Sequence, residues 1–226
     1  MGKKRFVSFL LILSLALFSA GCGKNNTPSK LSEEDLLHEL VLPTVMITVG
    51  EFHASGVIID KSEDEIVIAS VAHLLEGFDQ GIVTFSDMHV GFGNVFYCNE
   101  KDDICLLKIP RKDFDESYYE TLKCATIDLK AYEDLKRDDT LIIAGSAISG
   151  VNSVFKGTFK AKDYYVPEFD QYLIYMYCDI FEGMSGSAVY TEDGYLIGLL
   201  AGGSDAAEAV CIPVTDVVDR WKNGGK

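Results

Sequence analysis

Gly183-Met184-Ser185-Gly186-Ser187 is followed at once by Ala188-Val189-Tyr190, a turn at Asp193-Gly194 and the apolar run Tyr195-Leu196-Ile197-Gly198-Leu199-Leu200. A serine set between glycines can occupy a tight turn with its hydroxyl exposed. The backbone N–H groups of Gly183 and Ser185 can then converge on one point and hold a developing oxyanion. The two runs beyond read as a hairpin returning beside the serine. Glycine–serine turns also occur in plain loops, so the segment gains its meaning from what lies upstream.

Upstream, the mature chain is a succession of short runs rich in Val, Ile, Tyr and Phe. The first block is Thr44–Val49, Gly56–Asp60, Glu65–Val71, Gly81–Ser86, Gly91–Cys98 and Ile104–Ile109, punctuated by Gly50, the Lys61–Asp64 stretch, Gly77 and Asn99 to Asp103. Arg111 to Asp139 is charged and partly helical, with no strand pattern, and reads as a connection. A second block follows: Thr140–Ala144, Ser153–Ala161, Tyr172–Cys178, Ala188–Tyr190, Tyr195–Leu200 and Ala209–Ile212. Short strands at this spacing predict a sandwich or barrel rather than an α/β sheet. Two blocks of six with a connector predict an all-β fold of two antiparallel six-stranded barrels. Asp216–Trp221 forms a closing helix packed by Val217, Val218 and Trp221.

Serine is a poor nucleophile without a base, and the chain has four histidines. His38 falls in a short helix that Ser32 and Asp35 open as a capping box and that carries Leu36, Leu37 and Leu40. His53 and His89 sit among strand residues as wall or surface groups. His73 ends the apolar run Ile66 to Ala72, where an imidazole is held rigidly yet can face a cleft; a purely structural histidine fits that place too. The third member of a nucleophilic triad is a buried carboxylate that fixes the imidazole tautomer. Asp103 enters the apolar strand Ile104 to Ile109, although it could instead cap the turn before it, and Asp102 stands beside it as a rival. The three candidates occur in the order His, Asp, Ser. An α/β-hydrolase needs its histidine after the serine, and none follows His89.

These blocks together resemble the trypsin-like, chymotrypsin-fold serine peptidases of bacteria, relatives of the HtrA and glutamyl-endopeptidase groups. The matches are Gly56-Val57-Ile58-Ile59-Asp60, Val71-Ala72-His73-Leu74-Leu75, Asp103-Ile104-Cys105-Leu106-Leu107-Lys108, Asp134-Leu135-Lys136 through Gly145, and Gly183–Ser187, from about Pro43 to Trp221. The resemblance implies a serine endopeptidase with His73 as base, Asp103 as its orienting carboxylate, Ser185 as nucleophile, and the Gly183 and Ser185 N–H groups as oxyanion hole. It further implies that the strand around Leu199–Gly203 pairs with substrate backbone. Asp179, six residues before Ser185, is a candidate for substrate binding through a basic side chain. Met184 stands where trypsin has the aspartate that receives a new N-terminal ammonium, so the expected enzyme is competent without that switch. Ala188 replaces the usual proline, no histidine supports glutamate specificity, and no PDZ domain is expected after Lys226. A catalytically silent barrel serving as binding module or sensor is the alternative, and an esterase is chemically allowed.

At the other end, Lys3, Lys4 and Arg5 precede the uncharged run Phe6 to Phe18, which has the length of a signal-peptide core. Ser19-Ala20-Gly21-Cys22 resembles a bacterial lipobox, which implies cleavage before Cys22 and a lipid on its thiol. The expected organisation is a leader (1–21), a lipid-anchored tether with a short helix (22–42) and a peptidase domain (43–226). The domain holds a first barrel at about 43–110, a connector at 111–138 and a second barrel at about 139–226. Loss of the three basic leader residues takes the basic count from 20 to 17 against 35 acids, a net charge of −18. Such a surface repels nucleic acid and anionic headgroups. The expected partners are therefore a peptide or protein substrate and, through Cys22, the membrane, with the chain exported and monomeric. Cys98, Cys105, Cys124, Cys178 and Cys211 remain, an odd number without zinc-ligand spacing. They are expected as buried free thiols, which hints at a low-oxygen habitat; no metal or cofactor is predicted.

Overall fold

A computed structural model describes residues 32–146 and 152–224, so the expected leader (1–21) and Cys22 lie outside the described residues. Helix α1 (Glu33–Val41) starts where the capping pattern places it: Ser32 Oγ accepts from Asp35 N at 3.1 Å and donates to the Asp35 carboxylate at 2.6 Å. Six strands follow, β1 (Thr44–Val49), β2 (Phe52–Lys61), β3 (Glu65–Val71), β4 (Gln80–Phe85), β5 (Val90–Asn99) and β6 (Ile104–Pro110). They close into a barrel in the order β1-β2-β3-β6-β5-β4, with β1 pairing back onto β4. In β4 burial alternates along the strand, as one face looks into the barrel. Strand β3 is different: Ile66 to Val71 are all buried, so its outer face is covered as well. An uninterrupted apolar run is the sequence pattern of a strand buried on both faces.

The connector holds a 3₁₀ turn (Arg111–Asp113), α2 (Glu116–Thr121) and α3 (Leu129–Glu133). It also holds a short strand, β7 (Thr126–Ile127), which the sequence reading left out. β7 runs parallel to a later strand, Thr126 and Ile127 facing Tyr195 and Leu196. Two residues are too few to produce an alternating pattern.

The second block comprises β8 (Thr140–Ser146), β9 (Asn152–Val166), β10 (Gln171–Tyr177), β11 (Ala188–Thr191), β12 (Tyr195–Ser204) and β13 (Glu208–Pro213). Their order is β11-β8-β9-β10-β13-β12, and a β11–β12 pairing closes the six, with β7 added outside β12. Two six-stranded barrels are therefore present, as the strand blocks predict. Helix α4 (Val214–Asn223) ends the described chain, burying Val214, Val217 and Val218. Each fully buried Val, Leu or Ile contributes about 1.5–3 kcal/mol relative to exposure. The core runs through both barrels. Cys98, Cys105, Cys124, Cys178 and Cys211 are all free thiols, three of them buried and two half-buried.

Candidate active site

The end of β3 and the start of β6 are neighbours in register, Val71 facing Ile104. That pairing brings the residue after β3 to the residue before β6, which are Ala72-His73 and Asp103. Asp103 is 3 % exposed and has φ +53°, the left-handed region that aspartate tolerates better than most residues. Its Oδ1 accepts from the backbone N–H of Ala72 at 3.0 Å and of His73 at 2.9 Å. Both carboxylate oxygens lie 2.9 Å from His73 Nδ1. The carboxylate thus fixes the imidazole from the Nδ1 side, while the His73 side chain is 37 % exposed on the other.

Asp102 and Asp103 differ in what they touch. Asp102 Oδ2 accepts from Tyr97 Oη at 2.5 Å and from Arg220 Nε at 2.6 Å, and Oδ1 accepts from Ile104 N at 3.3 Å. It therefore ties the turn to α4, and Asp103 alone reaches His73.

Ser185 sits in a loop held by both barrels. Its carbonyl accepts from Ser55 N of β2 at 2.8 Å, and Gly186 N donates to Leu200 O of β12 at 2.8 Å. Gly186 has φ +85°, and a Cβ there would stand 2.0 Å from Ser55 O and 2.7 Å from Ser70 Oγ. Only glycine lets the backbone come this close, and the approach sets the serine beside the strand that delivers His73. Among the described residues, neither Gly183 N–H nor Ser185 N–H has a protein acceptor. Gly183 has φ +88° and is half-buried, like Ser185. Two unused donors on one tight loop are what an oxyanion site requires.

The serine hydroxyl itself donates to Ala201 O at 3.5 Å, and among the described residues no hydrogen bond joins it to His73. His73 and Asp103 are thus linked, whereas the Ser185 side chain is turned toward β12. Beyond the register shift at Ala201, β12 pairs from Gly202 to Ser204 with β13 only, which leaves its other edge open. Asp179 lies exposed just after β10 and, among the described residues, has no ion pair.

Ser55 escaped the sequence reading. Fully buried, it donates from Oγ to Ser146 O at 2.8 Å and accepts from Ser146 N at 3.1 Å, joining β2 of one barrel to β8 of the other. Ser70 Oγ in turn donates to Ser55 O at 2.6 Å. A serine beside Gly56 gives no local sign of such contacts. The remaining histidines are elsewhere: His53 Nδ1 meets Thr48 Oγ1 at 2.9 Å, His89 stacks on Tyr118, and His38 is exposed on α1. A cavity of about 590 Å³ is lined by residues such as Asp128, Asp139 and Asp193 and by none of His73, Asp103 and Ser185.

Comparison with known proteins bears on the family and the fold. Residues 54–199 match the family described as "Trypsin-like peptidase domain". A probable periplasmic serine endoprotease, DegP-like, of Halomonas elongata is 27% identical over 181 residues, 76% of this chain but 35% of that protein. The chain therefore spans about a third of the length of that curated relative. Among solved structures, the HtrA-type protease AlgW with a decapeptide superposes with TM-score 0.70 at 16% identity, covering 86% of this chain and 69% of that one. The serine endoprotease from Yersinia pestis gives TM-score 0.69 at 16% identity, covering 86% and 67%. At those identities the structures speak for the fold alone.

Proposed function

Since the chain belongs to the trypsin-like peptidase family, we propose that it is an extracytoplasmic serine endopeptidase acting through His73, Asp103 and Ser185. The observation that carries this reading is the Asp103–His73 pair, both carboxylate oxygens 2.9 Å from Nδ1. That bond keeps the Nδ1 proton in place and presents an unprotonated Nε2. When substrate binds, the Ser185 hydroxyl turns from Ala201 to His73 by a side-chain rotation, which is fast on the time scale of turnover. His73 takes its proton as the oxygen attacks the peptide carbonyl. The Gly183 and Ser185 N–H groups receive the oxyanion, each contributing on the order of 3 kcal/mol of barrier lowering. His73 then donates the proton to the leaving amine, and water repeats the sequence on the acyl-enzyme.

The open edge of Gly202–Ser204 supports pairing with substrate backbone as an added strand. Beside it, Gly203, Ser204, Phe169, Tyr175 and Glu208 line a cavity of about 400 Å³ suited to a side chain. Asp179 is the other candidate for side-chain selection. The anchor at Cys22 and the location outside the cytoplasm rest on the leader sequence and on the relative named periplasmic. Among the described residues, no helix is long and apolar enough to cross a membrane.

The Ser185–Ala201 hydrogen bond is the observation that favours the rival reading, a silent barrel used as a binding module. Labelling with a serine-reactive fluorophosphonate separates the two. The wild type should take the label and release peptides from a library of substrates, and Ser185→Ala should do neither while staying folded. A folded wild type that takes no label, or a Ser185→Ala variant labelled equally, would refute the proposal.

A further inference from the structure

Cys98 and Cys105 face each other across the antiparallel pair β5 and β6. Both are free, Cys98 half-buried and Cys105 fully buried. Facing residues of such a pair point to the same side, with Cα atoms about 4.5–5.5 Å apart. That lies within the roughly 4.4–6.8 Å that a disulfide spans. The neighbouring Cys98 thiol, burial and the Asp103 charge, in that order of weight, push the Cys105 thiol far above its ordinary range. No other free cysteine has this arrangement among the described residues: Cys211 faces Ile174 and Leu200, and Cys124 and Cys178 lie outside strands. What lies between the two thiols matters more. The six residues between them are the paired strand ends Asn99 and Ile104 and the turn 100–103 that carries Asp102 and Asp103, so a bond between the cysteines would close a small ring around the carboxylate that holds His73.

We propose that Cys98 and Cys105 form a site of reversible exchange with small-molecule disulfides, and that closing it slows the active site by displacing Asp103. The second half rests on the protease reading; the first does not. The more exposed Cys98, as thiolate, attacks one sulfur of the incoming disulfide, and one small thiol leaves. Cys105 then gives up its proton to solvent and attacks Cys98 Sγ, expelling nothing from the protein but releasing the second small thiol. Two protein thiols and one small disulfide thus become one protein disulfide and two small thiols. The raised Cys105 thiol makes this second step the slow one, so a mixed disulfide at Cys98 precedes the ring.

The size of the effect follows from geometry. Facing Cβ atoms in a sheet stand about 4.5–5.5 Å apart, while a disulfide draws them to about 3.5–4.5 Å. Closure therefore pinches the strand ends by about 1 Å, two residues from Asp103. A misplacement of about 1 Å in a catalytic constellation costs on the order of 100-fold in rate.

The test uses the full chain, incubated with either dithiothreitol or oxidised glutathione, alkylated and mapped by peptide mass spectrometry. The oxidised sample should contain a peptide pair joined through Cys98 and Cys105, lighter by two hydrogens. Fluorophosphonate labelling of Ser185 should slow by roughly 10- to 100-fold and recover with dithiothreitol. Cys98→Ser should label at the reduced wild-type rate in both conditions. Full alkylation of both cysteines after oxidation would overturn the proposal, as would a mapped disulfide that leaves the labelling rate unchanged. Slowing that persists in Cys98→Ser would assign the effect to another thiol and overturn it equally. Failure of the protease reading shows separately, as no label in the reduced protein; it removes the second half, while the peptide map still decides the first.

Discussion

Replacing Asp103 by Asn tests the proposed chemistry at one atom. The Asp103 Oδ1 accepts from two backbone N–H groups at 3.0 and 2.9 Å, and only an oxygen can do that. In the variant the amide oxygen keeps this place, so the NH₂ group faces His73 Nδ1. A donor there requires Nδ1 to be an acceptor, which moves the imidazole proton to Nε2. Nε2 is the atom that must take the serine proton, so the base is blocked. The expected loss is on the order of 10⁴ in kcat, or about 5.5 kcal/mol of transition-state stabilisation. The fold should survive, because Asn has the same shape and tolerates the left-handed backbone that Asp103 adopts at φ +53°. Labelling rate, peptide hydrolysis and Tm measured on one sample separate chemistry from folding. Asp102→Asn is the control: it faces Tyr97 and Arg220 instead, and its effect on rate should be at least 100-fold smaller. A folded Asp103→Asn variant within tenfold of wild type would refute the assignment of roles.

Ser55→Ala leaves the N–H and C=O of Ser146 without their partner, at about 1–3 kcal/mol each, and should lower Tm by about 5–15 °C in thermal melts. Gly186→Ala puts a Cβ 2.0 Å from Ser55 O in a left-handed conformation, so about 2–5 kcal/mol of stability and most fluorophosphonate labelling should be lost. Tyr190→Phe should do the opposite: among the described residues the buried Tyr190 hydroxyl has no hydrogen-bond partner, and removing it should raise Tm by a few degrees, where a fall would show a hidden partner. Tyr97, half-buried and hydrogen-bonded to Asp102, and Tyr132, buried, each hold their proton to about pH 12. The unfolded chain releases those protons near pH 10, so this part of the stability is intact below pH 10 and is lost as pH climbs toward 12. Denaturant melts across that window should record the decline, and Tyr97→Phe should flatten it.

Much of the architecture was legible because strands buried on both faces leave uninterrupted apolar runs. Ile66 to Ala72, polar only at the buried Ser70, and Ile104 to Leu107 are such runs, and they turn out to lie on adjacent strands whose matched ends bring His73 to Asp103. The choice between Asp102 and Asp103 was not legible, since it depends on Tyr97 across the hairpin and Arg220, 118 positions away. Ser55 and Ser146, 91 positions apart, are invisible for the same reason: a contact between distant residues prints nothing on the residues near either one. β7 escaped because two residues cannot show a period. The direction of the Ser185 hydroxyl is a rotamer, chosen by an acceptor on another strand.

The serine loop illustrates how such distant contacts can replace a local device. Met184 is 2 % exposed, its Sδ accepts from Phe181 N at 3.2 Å, and its own N–H donates to Phe181 O at 3.2 Å. A carboxylate in that apolar place would cost several kcal/mol unless a cation were buried beside it, so this loop cannot borrow the ion pair that a freed chain end supplies in trypsin. Its shape comes instead from Ser55 N on Ser185 O, Gly186 N on Leu200 O and Ser187 N on Met184 O, at 2.8, 2.8 and 2.9 Å. The first of these crosses between barrels. Ser55 also holds Ser146, and Arg220 of the last helix holds Asp102 of the first barrel. The turn that carries Asp103 and the loop that carries Ser185 are therefore each fastened across the same seam. On the proposed mechanism, barrel docking rather than a chain-end ion pair governs whether the Gly183 and Ser185 donors and the His73 base act on one carbonyl.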